Sequence, residues 1–303
     1  MASIAITQAA FAGFGVLRRK PWAPLVWSVV YVLAVAAVVL FLGAAFIGAF
    51  GRLMLLGPKA SAADIFALLG AVVGGYFLLV LVLWVVGAII NMAVVRAVLA
   101  PEDAAFAYLR FGRAELWLML ANLVLFILYM VVSFALAIPV ALIGAVATLA
   151  SHDAAPFVSL LVQLVTWAVS IWLMLRFSMM APMIFTERRF RLFESWTLTR
   201  GHAWSLFGVG VVVALVSLAV YVALAALGFA IGVPLFQSLH LGPTAEGFFS
   251  QPPQAIWNAL APLLALYAVL AFVASVILTP LFFAAWPEAY RQLTRGDLAA
   301  TFS

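Results

Sequence analysis

The sequence predicts an all-α fold, a polytopic transmembrane helical bundle with six spans in three repeated hairpins and interfacial amphipathic helices. Three observations predict it: 68% of the 303 residues are hydrophobic, only 8% are charged, and the charges fall between long apolar stretches. A soluble domain is about half apolar and about a quarter charged. The composition therefore excludes a soluble enzyme and a disordered chain, and the lack of cysteine excludes a disulfide scaffold.

Six stretches are long enough to be membrane helices, because a span needs about 20 mainly apolar residues. They cover residues 22–50, 65–95, 116–150, 156–185, 204–238 and 255–286. Each is longer than the minimum, which predicts tilt or extension into the headgroup layer.

The basic residues are distributed unevenly between the two sides of the predicted bundle. One side has only Arg52 and Lys59, and the other has Arg18, Arg19, Lys20, Arg96, Arg110, Arg113, Arg176, Arg188, Arg189, Arg191, Arg200, Arg291 and Arg295. The positive-inside rule then places both termini in the cytoplasm of a bacterial inner membrane. The segment Ser3–Leu17 has no basic residue ahead of its apolar residues, so we expect a helix on the inner leaflet instead of a signal peptide.

A similar motif precedes three of the spans. Arg19–Trp22, Arg113–Trp117 and Arg200–Trp204 each place a basic residue shortly before a tryptophan, and Leu-Thr-Arg-Gly occurs at both 198–201 and 293–296. Each interval between the tryptophans holds one hairpin, which indicates parallel repeats. Within a single membrane domain, 1–303, the approximate repeats are 1–100, 101–187 and 188–303.

The motif predicts a short helix lying flat at the cytoplasmic surface, with arginine beside its negative end and glycine ending it. Tryptophan then anchors the next span in the headgroup layer. In Glu187–Leu198, helical periodicity places the large apolar side chains on one face and most of the charged ones on the other. We therefore predict an interfacial helix there.

Two arginines lie within predicted spans, where an ionisable side chain is a functional hypothesis by default. Arg176 lies about a third of the way into the fourth span, and Arg96 lies near the end of the second. Each either extends to the inner interface, binds a phospholipid headgroup or anionic solute, or pairs with Glu115 or Glu187. The other candidate lipid-binding or anion-binding residues, followed by a further polar partner, are Arg110, Arg113, Arg188, Arg191, Arg200 and Glu194.

Uncharged polar residues inside the spans leave two alternatives. Gln163, Thr166 and Ser170 share one helical face, and Asn122 lies in another span. They either line a polar cavity or form interhelical hydrogen bonds worth about 1 kcal/mol each.

No cofactor or metal site is predicted. The sequence has no metalloprotease, hydrolase, Walker or dinucleotide-binding motif, and His152, Asp153 and His240 have no ligand spacing. Gly70-x-x-x-Gly74 and Gly228-x-x-x-Gly232 are expected to serve packing, because paired small residues let helices approach closely.

From Arg176 to Trp204 the sequence resembles a known family. The relevant residues are Arg176, Ala181-Pro182, Glu187, Glu194-Ser195-Trp196-Thr197-Leu198-Thr199-Arg200-Gly201 and Trp204. They are similar to a pattern in bacterial inner-membrane proteins of the YciC-like family and in the membrane domain of some glycerophosphodiester phosphodiesterases. This chain has no catalytic phosphodiesterase domain, so the resemblance implies a membrane module linked to envelope lipids without hydrolysis.

Three functional hypotheses follow. The first is a non-enzymatic envelope module whose basic cytoplasmic face binds phospholipids or a partner protein, with no nucleic-acid partner. The second is a transporter or channel for a small or lipidic substrate, with a polar cavity lined by Asn122, Gln163 and Thr166. The third is a membrane-embedded lipid enzyme, which needs clustered acid and base groups that the sparse carboxylates do not provide. The oligomeric state stays open.

Overall fold

The computed structural model describes residues 4–57, 61–150, 154–238 and 253–301, and within these ranges the chain is helical and has no β-strand. The α-helices are α1 (Ile6–Ala10), α2 (Ala12–Arg19), α3 (Trp22–Leu56), α4 (Ala62–Leu99), α5 (Arg113–Ala150), α6 (Ala154–Phe177), α7 (Met180–Glu187), α8 (Phe193–Leu198), α9 (Ala203–Ser238) and α10 (Pro253–Thr301). The predicted all-α class is confirmed.

Six helical segments of the described chain are long and apolar enough to cross a membrane: α3, α4, α5, α6 with α7, α9 and α10. Their most apolar windows have mean hydropathies between 2.0 and 2.8, and many large apolar side chains on them are exposed. Soluble monomers rarely expose apolar patches of this extent, whereas acyl chains cover them in a bilayer. The protein is a multi-pass membrane protein, and the six predicted spans are confirmed.

The fourth span, predicted as 156–185, is divided in the structure. α6 ends at Phe177 and α7 begins at Met180. Pro182 explains the division, because it cannot donate to the carbonyl four residues earlier and its ring clashes with that carbonyl. The same residue fits within the first turn of a new helix. Arg176 therefore lies in the last turn of α6, and its predicted place within a continuous span is wrong.

The short helices between the spans only partly follow the prediction. Glu187–Leu198 is not one helix, because Arg188 adopts a left-handed conformation (φ 54°) and its N–H caps α7 at the Ile184 carbonyl. α8 does end shortly before a glycine, and Gly201 has a φ of 85° that glycine adopts at little cost. Gly296, in contrast, lies inside α10, which continues beyond it.

The predicted amphipathic helix Ser3–Leu17 is two short helices. Ser3 lies outside the described residues, and α1 and α2 are separated at Phe11. Phe11 and Phe14 are both exposed and stack with ring centroids 5.8 Å apart. This segment therefore presents an aromatic pair on its surface.

The chain forms two compact units, and the first consists of residues 4–9, 88–209 and 286–301. In unit 1, α5 packs against α6 and α7, and α8 packs against the same two helices. The C-terminal end of α4 joins their core, whose fully buried members include Met92, Leu118, Ile184 and Leu192. All the arginine and carboxylate candidates belong to unit 1.

Unit 2 consists of residues 10–57, 61–87, 210–238 and 253–285. Here α9 and α10 pack closely, since a Cβ on Gly228 would lie 3.0 Å from the Leu270 side chain and one on Gly232 would lie 3.6 Å from Leu266. The close contact predicted at this motif is confirmed. Gly70-x-x-x-Gly74 has open space beside both glycines.

Candidate functional site

Arg96 and Glu115 form a buried ion pair in unit 1. Their side chains are 8% and 1% exposed. Arg96 also donates from Nη1 to the Tyr108 carbonyl (2.9 Å), and the Gly112 N–H donates to Glu115 Oε2 (2.9 Å). Glu115 thus acts as the third-position acid of a capping box at the start of α5. The structure joins two of the predicted candidates, and protein groups occupy the Arg96 guanidinium.

A left-handed turn lies against this pair. Phe106, Ala107 and Tyr108 have φ values of 52°, 57° and 64°, a conformation that costs non-glycine residues about 1–2 kcal/mol each. Tyr108 is buried and its hydroxyl donates to the Pro101 carbonyl (2.9 Å). Phe106 projects outward and is 85% exposed. Sequence reasoning missed this turn, because it contains neither glycine nor asparagine.

The break between α6 and α7 is closed by a side chain from α8. Ser195 is fully buried, and its hydroxyl accepts from the Met179 N–H (3.2 Å) and donates to the Arg176 carbonyl (2.9 Å). Thr199 donates weakly to the same carbonyl (3.4 Å). The break would otherwise leave backbone groups unpaired in an apolar setting, at a cost of several kcal/mol each. Ser195 therefore fixes α8 on the end of α6.

The Arg176 guanidinium lies between two tryptophans. Its Cζ is 5.6 Å from the Trp172 ring centroid and 5.4 Å from that of Trp196, and the two rings are perpendicular with centroids 4.7 Å apart. Nε and Nη1 are buried without a hydrogen-bond partner in the described part of the chain. We call Arg176, Trp172 and Trp196 the Arg176 clamp. The predicted pairing with Glu115 or Glu187 is not present at this arginine.

Two other candidate arginines are held by carboxylates near the surface. Arg191 Nε lies 2.7 Å from Glu187 and its Nη1 donates to Glu194 at 2.8 Å. The Glu194 hydrogen bond, with the Glu187 charge, raises the pKa of Arg191, and the bond from Arg191 lowers the pKa of Glu194. Arg110 pairs with Asp103. These contacts span at most seven residues, which is why sequence proximity alone was a usable signal for them.

The remaining candidates, Arg113, Arg188 and Arg200, are exposed, and no carboxylate among the described residues lies within ion-pair distance of them. An exposed aromatic side chain lies within five residues of each: Phe111, Phe193 and Trp204, the last being 84% exposed. This alternation of free guanidinium groups and aromatic rings is the most accessible basic feature of unit 1. We call these three arginines the open arginines.

Glu288 belongs to a polar cluster that sequence reasoning missed. It is buried and contacts Arg291 (2.5 Å) and Gln292 (3.3 Å) one turn along α10. The N-terminal segment completes the cluster, with Gln8 at 3.5 Å from Glu288 and the Ala5 N–H donating to Gln292 (2.8 Å). The only sequence signal was a Pro-Glu step at the end of the last span, since the partners lie about 280 residues away.

The uncharged polar candidates provide few free groups. The Thr166 hydroxyl donates to the Val162 carbonyl (3.0 Å), and Ser170 donates to the Thr166 carbonyl (2.8 Å). Gln163 is exposed on α6 and Asn122 is half-buried on α5. Both hydroxyls are therefore satisfied within their own helix.

Metal chemistry receives no support from the described residues, where no group of three or more acidic or histidine side chains is placed to hold an ion. The histidine and aspartate considered from the sequence, His152, Asp153 and His240, lie outside the described ranges.

Comparison with protein families, curated proteins and solved structures finds no match to this chain.

Proposed function

We propose that the protein is a non-enzymatic module of the bacterial inner membrane that binds anionic phospholipid headgroups through a basic cytoplasmic face. Both termini lie in the cytoplasm in this proposal. The observation that carries it is the set of open arginines, each exposed, free of carboxylates and close to an exposed aromatic ring. Guanidinium groups suit phosphate geometry, and aromatic rings favour the headgroup layer.

The position of Arg113 supports a binding role over a stabilising one. It is the first residue of α5, where the positive end of the helix dipole disfavours a cation. Arg200 precedes α9 by three residues and meets the same field. A basic side chain close to an anionic leaflet gains about 1 kcal/mol, which offsets that penalty at a membrane surface.

Spin-labelled lipids test the proposal in reconstituted bilayers. Electron paramagnetic resonance measures the lipid fraction immobilised by the protein, and we expect spin-labelled phosphatidylglycerol to be preferred over phosphatidylcholine at low salt. The preference should decline toward one as salt approaches about 1 M, because screening shortens the range of the charges. Changing all the open arginines together to Gln (Arg113→Gln, Arg188→Gln, Arg200→Gln) should bring the ratio close to one at low salt.

The matched control replaces the same three residues with Lys, which keeps the charge. This variant should retain the preference for phosphatidylglycerol, since an exposed charge acts through its sign and position. An undiminished preference in the folded triple-Gln variant would show that the open arginines do not bind the membrane surface.

A further inference from the structure

The Arg176 clamp differs from the open arginines in how its cation is held. Trp172 and Trp196 each place an aromatic ring against the guanidinium, at 5.6 and 5.4 Å from Cζ. Such contacts stabilise the cation through its faces. Hydrogen bonds from a guanidinium lie in its plane, so the edges of Arg176 are left to find acceptors.

Those edges are short of acceptors. Arginine carries five N–H donors and cannot lose its charge, yet Nε and Nη1 are buried with no partner in the described part of the chain. The two carboxylates expected to pair with Arg176 are used elsewhere, Glu115 by Arg96 and Glu187 by Arg191. A buried charged donor without an acceptor costs more than the 1–3 kcal/mol typical of neutral groups. An acceptor from outside the chain would remove this cost.

The clamp is also fixed in place. Ser195 and Thr199 of α8 both donate to the Arg176 carbonyl, and Trp196 lies between them on the same helix. Phe177 packs edge-on against Trp196, with centroids 5.8 Å apart. Neighbouring bonds therefore hold the cation and its rings together, unlike a long side chain that extends freely to the interface.

We infer that the Arg176 clamp binds the phosphate group of a single ligand, supplied by a phospholipid headgroup or by free phosphate. A planar guanidinium donates two parallel hydrogen bonds to a phosphate, a geometry that Lys does not reproduce. The inference rests on the proposed function for the membrane location and deepens it, because the clamp recognises phosphate itself where the open arginines respond to net charge.

Native mass spectrometry of the detergent-purified full chain tests this inference. The probes are phosphatidylglycerol, phosphatidylethanolamine and diacylglycerol with the same acyl chains, at a salt concentration that screens surface charge. We expect one retained adduct with both phospholipids and none with diacylglycerol, which lacks the phosphate. An equal adduct with diacylglycerol, or no adduct with either phospholipid and no binding of inorganic phosphate, would overturn the inference.

Arg176→Lys is the decisive variant, since it keeps the charge and is the mildest change for folding. It should weaken the adduct by about tenfold or more, because the planar fork and the stacking are both lost. Arg113→Lys, at an open arginine, is the matched control and should leave the adduct within about twofold, since its guanidinium meets no ring clamp. Unchanged binding in Arg176→Lys would refute the inference. If that variant elutes as an aggregate, Trp196→Phe replaces it and should weaken the adduct severalfold.

Competition with inorganic phosphate identifies the source. Displacement of the lipid adduct by millimolar inorganic phosphate assigns the clamp to soluble phosphate, and resistance assigns it to the lipid headgroup. Both outcomes support phosphate recognition. Failure here is distinguishable from failure of the proposed function, which concerns salt-sensitive preference for anionic lipid and depends on the open arginines instead of Arg176.

Discussion

At Arg96 and Arg176 the same side chain meets two different environments near the end of a long helix. Arg96 is buried against Glu115 and the Tyr108 carbonyl, so its donors are occupied inside the protein. Arg176 lies between tryptophans and has buried donors without acceptors. The first is therefore a structural residue and the second a candidate for binding, although sequence position gave both the same status.

Glu115→Gln tests the structural assignment of Arg96. Removing one partner of a buried ion pair typically costs about 3–5 kcal/mol, because the remaining charge is left uncompensated. We expect a large fall in the thermal unfolding midpoint of the detergent-purified protein, followed by tryptophan fluorescence. Glu102→Gln, at an exposed neighbouring acid, should change it little. A normal midpoint for Glu115→Gln would mean that the pair does not stabilise the fold.

Ala107→Gly tests the strain in the left-handed turn. Glycine adopts φ near 57° without the Cβ clash that alanine suffers, so we expect a gain of about 1 kcal/mol in stability. Ala104→Gly, where φ is −83°, is the control and should be neutral or destabilising by the added freedom of the unfolded chain. The same unfolding measurement compares the two, and a loss of stability on Ala107→Gly would contradict the assigned strain.

At the scale of elements, α8 joins the end of α6 to the start of α7. Pro182 divides the two helices, and Ser195 supplies the hydrogen bonds that the division removes. A six-residue helix has little stability of its own, so α8 depends on these bonds and on the stacking of Trp196. The sequence predicted an amphipathic segment here but not its attachment, because the partner of Ser195 lies 19 residues earlier.

Ser195→Ala should release α8. The substitution leaves the Met179 N–H without its acceptor, at a cost of about 1–3 kcal/mol, and we expect faster trypsin cleavage at the arginines between 188 and 200. Thr197→Ala, on the exposed side of the same helix, is the matched control and should be cleaved at the wild-type rate. Equal cleavage of the two variants would show that Ser195 does not hold α8.

For the whole molecule, the distribution of charge predicts the orientation in the membrane. Only two of fifteen basic residues lie on one side of the predicted topology, and basic loops stay in the cytoplasm. The open arginines and the Arg176 clamp then face the inner leaflet together. The proposed function depends on this orientation, because anionic lipid is recognised there.

Labelling of single cysteines tests the orientation with no background, since the natural chain has no cysteine. Ala62→Cys and Thr197→Cys are both at exposed positions, one on each predicted side. A membrane-impermeant maleimide should label Ala62→Cys in cells with a permeable outer membrane and Thr197→Cys only after the inner membrane is opened. The opposite pattern would invert the topology and remove the basis for the proposed function.

The sequence by itself determined the fold class and the spans, because both follow from local quantities. Hydropathy summed over about 20 residues decides whether a helix enters a bilayer, and no distant residue changes that sum. The helix ending near Gly201 was equally local. For the same reason the list of candidate arginines could be written from the sequence, and all of them belong to unit 1.

Only the tertiary structure decided what each charged group does. Arg96 found Glu115 across a loop, whereas Arg176 found tryptophans, and Glu288 met an N-terminal segment about 280 residues away. Three consecutive residues of the loop also took a left-handed form that their side chains disfavour. A side chain's role depends on whether its donors are satisfied, and in a membrane protein that is decided by which segments pack beside it.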